Sequence, residues 1–178
     1  GYLKEFIQLF FGDGQKFGVN IEYSSEEKPL GTAGPLGLLR DKLQEPFLVM
    51  NGDILSNISF ASMVQYHKEQ GKIGTIALAS RSVDIDFGVV KLDKESILEN
   101  YIEKPKLDHL VSMGVYILDP TVLDYIPIGS FLTLPDLVMK VKHEGERMAG
   151  YVHKGSWLDI GRPSDYEEAC RDFQLSSL

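Results

Sequence analysis

The segment PFLVMNGD, Pro46 to Asp53, constrains the fold more than any other part of the chain. A continuous apolar run of this length suits a strand buried on both faces, and such strands belong to parallel sheets covered by helices. The run stops at Asn51, Gly52 and Asp53, which sets a lone carboxylate at the carboxyl end of the strand. Upstream, EEKPLGTAGPL, Glu26 to Leu36, follows the strand-like GVNIEYS and places a glycine-rich turn at the end of a neighbouring strand. In open α/β sheets, ligands bind outside the carboxyl ends of the strands. The chemistry is therefore expected between Gly31 and Asp53.

Strand and helix signals alternate through the first half. YLKEFIQLF has apolar residues at helical spacing, Thr32 to Leu39 reads as a helix, and IGTIALAS reads as a strand. Ser59 is placed to cap a helix whose Phe60, Met63, Val64 and His67 share a face. This order is the signature of a parallel sheet with crossover helices. From Phe87 the rhythm changes. FGVVKLD, ILENYIEKP and LVSMGVYILD are strand-like runs between charged or proline-bearing turns, which implies antiparallel or mixed sheet. Pro135 fits the first turn of a helix running to about His143, because its missing N–H is not needed there. Strands at MAGYVHK and SWLDI follow, and Pro163 opens a last helix, SDYEEACRDF. One α/β domain with a three-layer core accounts for this pattern.

Bulk properties narrow the function. With 178 residues, 43% of them apolar, the chain is long enough for one domain with a full-sized core. A net charge of -8 argues against a nucleic-acid backbone or an anionic membrane as partner, since both need basic patches. It leaves room for a nucleotide. The single cysteine, Cys170, cannot form an internal disulfide, so a reducing compartment is expected. No apolar run approaches the roughly 18 residues of a membrane span, which points to a soluble, cytoplasmic protein.

Several motifs carry chemistry. A carboxylate at the end of a buried strand, such as Asp53, needs a cation or several donors to stay ionised, and Gly52 lets a ligand approach the backbone. The plain alternative is a turn or cap. WLDIG, Trp157 to Gly161, repeats apolar residues, then Asp, then Gly at a strand end. Asp53 and Asp159 converging on one crevice would make a Mg²⁺ site, since Mg²⁺ takes one or two carboxylates, waters and phosphate oxygens. Asp159 as a helix cap ahead of Pro163 is the competing reading.

The turn PLGTAGPL, with Gly31 and Gly34, offers backbone N–H groups entering a helix, suited to an anion or the carbonyl edge of a base. It is not a P-loop, and an ordinary turn explains its residues equally well. Glu26 and Glu27 are either solvated charge or acceptors for a base N–H. In IEKPK, Glu103 and Lys104 point to opposite faces of an extended chain, and both reach one polar ligand only if the backbone turns there. A surface strand end of mixed charge is the other reading. His67, His109, His143 and His153 show no metal-ligand spacing.

PLGTAGPL, LVMNGDIL, DFGVVKLD, YIEKPK, SMGVYILDP and WLDIGRPSDYEEA, in this order and spacing, resemble the sugar-1-phosphate nucleotidyltransferases, or nucleoside-diphosphate-sugar pyrophosphorylases. The resemblance runs from about Phe10 to Ala169, and LGTAGPL is most similar to the mannose-1-phosphate guanylyltransferase branch. It implies a Rossmann-like mixed, mostly parallel sheet flanked by helices. It also implies transfer of a nucleotidyl group from a nucleoside triphosphate to a sugar 1-phosphate, giving an NDP-sugar and pyrophosphate. By position it implies base contact at Glu26 or Glu27 and Gly31, with Leu30, Thr32 and Gly52 in the nucleotide site. Asp53 and Asp159 match the Mg²⁺ ligands, Lys104 the base that meets the sugar phosphate, and Gly88, Glu103 and Gly114 the sugar pocket. The partners implied are the two substrates, with no nucleic acid and no membrane, and assembly as a homo-oligomer is compatible with it.

One departure is large. The family's glycine-rich G-x-G-T-R-L segment and a following Lys in a K-P pair are absent. Residues 1–178 are expected to form a single nucleotidyltransferase domain, roughly the C-terminal two-thirds of the family domain, without its first Rossmann-like strand. A non-catalytic nucleotide- or sugar-phosphate-binding regulatory module therefore stays open. A glycosyltransferase using NDP-sugar also stays open, although the usual D-x-D motif is not met by NGD or by DID at Asp84 to Asp86.

Overall fold

Residues 3–176 are described by the structure, a computed structural model, in which helices and short strands succeed one another along the chain. They are α1 (Lys4–Phe11), β1 (Phe47–Met50), β2 (Ile54–Ser56), α2 (Phe60–Gln70), β3 (Gly74–Asp84), β4 (Val89–Leu92), β5 (Leu98–Ile102), β6 (Lys106–Leu118), α3 (Leu134–His143), β7 (Met148–His153), β8 (Trp157–Asp159) and α4 (Pro163–Ser176). Short 3-10 helices occupy Gln15–Phe17, Gly34–Leu39 and Pro120–Tyr125. The fold is mixed α/β, as the sequence pattern implies. No helix among the described residues is long and apolar enough to cross a membrane.

The chain divides into two compact units that interleave along the sequence. The first takes the residues up to Phe47, then 72–74 and 118–148, and the second takes 48–71, 75–117 and Ala149 onward.

The second unit holds a four-stranded sheet of order β1-β6-β3-β7 and two antiparallel ribbons, β2 with β8 and β4 with β5. Its core joins Met63 of α2 to Ala77 of β3, Met113, Val115 and Ile117 of β6, and Ile54 and Ile58. Each Met, Val or Ile among these, fully buried, contributes roughly 1.5–3 kcal/mol. α2 starts where Ser59 accepts a hydrogen bond from the Ser62 amide at 3.2 Å, and it ends at Gly71, which adopts a left-handed conformation. Its buried face carries Met63 and His67 with Val64 half-buried, whereas Phe60, expected to share that face, is exposed. Tyr66 and Tyr151 meet edge to face, and Tyr66 donates to the Gly150 carbonyl at 3.0 Å, which ties α2 to β7.

In the first unit, α3 begins as read from Pro135. Thr133 accepts from the Asp136 amide at 3.2 Å, and Leu134, Leu137 and Val141 are buried at helical spacing. Asp119 caps the Pro120–Tyr125 helix through the Thr121 amide, and Val122 and Leu123 are buried. Lys140 donates to the Tyr125 carbonyl at 2.8 Å, and Arg40 pairs with Asp124 at 2.7 Å.

Three further expectations fail. β1 is not buried on both faces: Leu48 and Met50 are 41% and 37% exposed, whereas Phe47 and Val49, pointing to the other face, are half-buried. GVNIEYS forms no strand, and the Ile21 amide instead donates to the Asp13 carbonyl at 2.8 Å. The helix read over Thr32 to Leu39 is a 3-10 helix confined to Gly34–Leu39. Two glycines and a proline weaken an α-helix there.

Candidate active site

In the second unit, β2 and β8 bring Asp53 and Asp159 together. Ile54 pairs with Asp159 across the ribbon, and the Ile160 amide donates to the Asp53 carbonyl at 2.9 Å. Beyond β8 the chain turns at Gly161, whose amide donates to Asp159 Oδ1 at 3.0 Å. A Cβ added at Gly161 would lie 3.0 Å from Asp159 Oδ1 and 3.4 Å from Asp53 Oδ2. Both carboxylates thus face one small space, which the absence of a side chain at Gly161 keeps open. Both are exposed. Among the described residues no third His, Cys, Asp or Glu joins them. Two carboxylates with open positions suit Mg²⁺, which completes its shell with water and phosphate oxygens.

The β4–β5 hairpin carries the candidate sugar residues. Val89 pairs with Ile102 and Val90 with Tyr101, so Gly88 and Glu103 stand one step beyond the paired residues, opposite each other. Tyr101 donates its hydroxyl to Glu103 Oε2 at 2.7 Å. That bond to a carboxylate, with a smaller contribution from burial, raises the Tyr101 phenol above its ordinary pKa. Its ring lies over Gly88, where an added Cβ would fall 2.2 Å from Oη and 2.5 Å from Cζ.

Lys104 follows with φ of +44°, a left-handed conformation uncommon for a residue with a side chain. The backbone turn, expected at Pro105, therefore falls at Lys104 itself, one residue earlier. Gly114, with φ of +72°, lies within β6 beside Asn51: its carbonyl accepts from the Asn51 amide at 3.0 Å, and an added Cβ would meet Asn51 Nδ2 at 2.9 Å. Gly114 thus lies against the residue that precedes Gly52 and Asp53.

The candidate nucleotide residues Glu26 to Thr32 lie in the first unit. Glu26 is half-buried and its Oε2 accepts from the Leu30 amide at 3.0 Å, closing the loop on itself, whereas Glu27 is exposed. Leu30 is buried. Its carbonyl accepts from the Leu132 amide at 2.9 Å, and the Leu132 carbonyl accepts from Ala33 and Gly34 at 2.9 and 3.1 Å. Those amides, read from sequence as donors for a ligand, are therefore already engaged. Gly31 has φ of +77° and an added Cβ would lie 2.6 Å from the Leu132 oxygen. Thr32 Oγ1 accepts from the Leu134 amide at 2.8 Å at the start of α3.

Sequence reasoning missed Tyr101, Asn51 and Leu132. Tyr101 was discoverable, because residues two apart on a strand share a face and Tyr101 stands two before Glu103. Asn51 and Leu132 take part through tertiary pairing, for which the sequence carries no local signal.

The sequence profile of the family described as Nucleotidyl transferase matches residues 2–175. Among curated proteins, the chain is 35% identical to a probable mannose-1-phosphate guanylyltransferase 3 of Oryza sativa subsp. japonica, over 99% of the chain and 51% of that protein. It is 35% identical to the mannose-1-phosphate guanylyltransferase catalytic subunit beta of Drosophila pseudoobscura pseudoobscura, over 86% of the chain and 43% of that protein. The chain thus spans about half the length of the curated relatives it matches. Of solved structures, HddC from Yersinia pseudotuberculosis complexed with GMP-PN aligns with a TM-score of 0.71 at 21% identity, over 97% of this chain and 75% of that one. A putative glucose-1-phosphate thymidylyltransferase from Bacillus anthracis in complex with a sucrose aligns with a TM-score of 0.69 at 24% identity, over 93% and 70%. These likenesses show the fold.

Proposed function

The chain belongs to the nucleotidyl transferase family, and from that premise we propose that its protein transfers a nucleotidyl group from a nucleoside triphosphate to a sugar 1-phosphate, releasing pyrophosphate. GTP and mannose 1-phosphate are the substrates proposed first, because relatives of this name match at 35% identity over most of the chain. The observation that carries the reading is the convergence of Asp53 and Asp159 on the space beside Gly161.

The reaction needs little proton transfer. A phosphate oxygen of the sugar 1-phosphate is already an anion, and it attacks the α-phosphorus while the bond to the β-phosphate bridging oxygen breaks and pyrophosphate leaves. The protein's task is alignment and relief of charge repulsion. Asp53 and Asp159 would hold Mg²⁺, which when bound neutralises phosphate charge. Lys104 would hold the sugar phosphate as a point charge, and Glu103 would accept sugar hydroxyls. Glu27, with the loop from Leu30 to Thr32, would contact the base. Glu26 would support that loop through the Leu30 amide.

The test is pyrophosphate release with Mg²⁺, crossing GTP, UTP, dTTP, CTP and ATP against mannose, glucose and N-acetylglucosamine 1-phosphates. Turnover with GTP and mannose 1-phosphate is expected. No release with any pair would sink the catalytic reading in favour of a binding module.

A further inference from the structure

We infer that Tyr101 is a positioning residue for Glu103, holding its carboxylate in one orientation against the face opened by Gly88 and so setting which sugar hydroxyl the enzyme accepts. The inference rests on the proposed function above and names a part of the site that the family assignments do not.

Glu103 lies beyond the last paired residue of β5 and just before the left-handed turn at Lys104, and its side chain is exposed. A carboxylate in that setting samples many rotamers, and ordering it on binding costs entropy. The hydrogen bond from Tyr101 at 2.7 Å removes much of that freedom in advance. The phenol is itself placed, although its ring is 56% exposed and packing alone does not fix it. Gly88 leaves the room the phenol needs. The Tyr101 hydroxyl lies 2.2 Å from where a Cβ at residue 88 would fall, so any side chain there pushes the ring off and breaks its reach to Glu103.

The pairing of Val90 with Tyr101 sets the register that brings ring and glycine together. With one acceptor site of Oε2 committed to the phenol, the carboxylate is held in one orientation and its remaining acceptor sites, on Oε1 foremost, meet a sugar hydroxyl from a fixed direction.

The experiment uses the protein in its natural form and compares wild type with Tyr101→Phe, Glu103→Gln, the double variant and Gly88→Ala. Steady-state KM and kcat are measured for sugar 1-phosphate and for the triphosphate separately, with sugars epimeric at single hydroxyls. Tyr101→Phe retains the ring and deletes only the donor. It is expected to raise the sugar 1-phosphate KM about fivefold to tenfold and to narrow the preference between epimers, with kcat and the triphosphate KM unchanged. In the Glu103→Gln background the same change is expected to add little, because the two act as one unit. Gly88→Ala should mimic Tyr101→Phe.

Two further results separate the ways of failing. Normal wild-type turnover with an unchanged sugar KM in Tyr101→Phe, or an equal loss with and without Glu103, overturns the assignment of Tyr101 alone. Absence of any sugar 1-phosphate binding by the wild type overturns the proposed function and this inference with it.

Discussion

The Ile160 amide donates to the Asp53 carbonyl at 2.9 Å, so the backbone carrying one candidate metal ligand is bonded directly beside the other, Asp159. Strand pairing of Ile54 with Asp159 continues the same ladder. The two acids lie about a hundred residues apart in sequence, yet their separation in space is set by main-chain bonds. Their side chains are exposed, so neither is needed for packing.

Asp53→Asn should therefore leave the fold intact and remove Mg²⁺-dependent nucleotide binding. A loss of at least about a hundredfold is expected, since disturbing even the outer partners of metal ligands costs 10–100-fold. Calorimetric titration with and without Mg²⁺ checks this, and unchanged binding would take Asp53 out of the metal site. Gly161→Ala tests the same space without touching a charge. Its methyl would press on Asp159 Oδ1 at 3.0 Å and spread the carboxylates. Mg²⁺ affinity should fall about tenfold while Tm stays within about 2 °C.

Lys104 holds φ of +44° with proline next, a position where a residue bearing a Cβ is doubly constrained. Such strain costs of order 1–3 kcal/mol. Lys104→Gly should raise stability by about 1 kcal/mol while weakening sugar 1-phosphate binding at least about tenfold. Lys104→Ala should lose the binding without gaining the stability. Urea unfolding midpoints and sugar 1-phosphate titrations separate the two effects, and equal stability in both variants would show that the backbone carries no strain.

Most of the element order from residue 47 onward was legible, β2 and the Pro120–Tyr125 helix excepted, because strand, cap and proline signals there are local: Ser59, Pro135 and Pro163 each stand at the start of a helix as their chemistry dictates. The exposed face of β1 was not legible, since an apolar run carries no mark of which face of its strand is covered. Asp53 and Asp159 could each be read as strand-end carboxylates, but their meeting depends on antiparallel pairing of β2 with β8, which leaves no sequence pattern. The LGTAGP turn was legible in part. Its glycines stand out in the sequence, and the structure adds an origin for them that the sequence does not show, the Ser130 and Leu132 backbone against which they pack.

That origin of the glycines makes a prediction. Gly31→Ala places a Cβ 2.6 Å from the Leu132 oxygen at φ of +77°, and Gly34→Ala places one 2.5 Å from the Ser130 oxygen. Both obstacles are backbone atoms and cannot move as a side chain would. Each substitution should destabilise by about 2–4 kcal/mol. Thermal unfolding measures it. A variant of normal Tm that has lost nucleotide binding would show that the glycine serves the ligand and not the packing.

His67 is the histidine for which a catalytic role is most easily imagined and least supported. It is 5% exposed, and its Nδ1 lies 2.9 Å from Thr75 Oγ1, which is itself fully buried. His67→Ala opens a cavity beside Met63 on the same helix face and strips a buried hydroxyl of its partner. Together these should cost about 2–4 kcal/mol, a fall in Tm of about 5–12 °C for a chain of this size. Thr75→Val, which removes the hydroxyl in the same shape, should recover part of that loss in the double variant, because the orphaned group is then gone. Binding of triphosphate and of sugar 1-phosphate should stay within about twofold of wild type at temperatures where the variant is folded. A larger fall in affinity from folded His67→Ala would place the ligand crevice at α2 and β3 instead of beside Gly161.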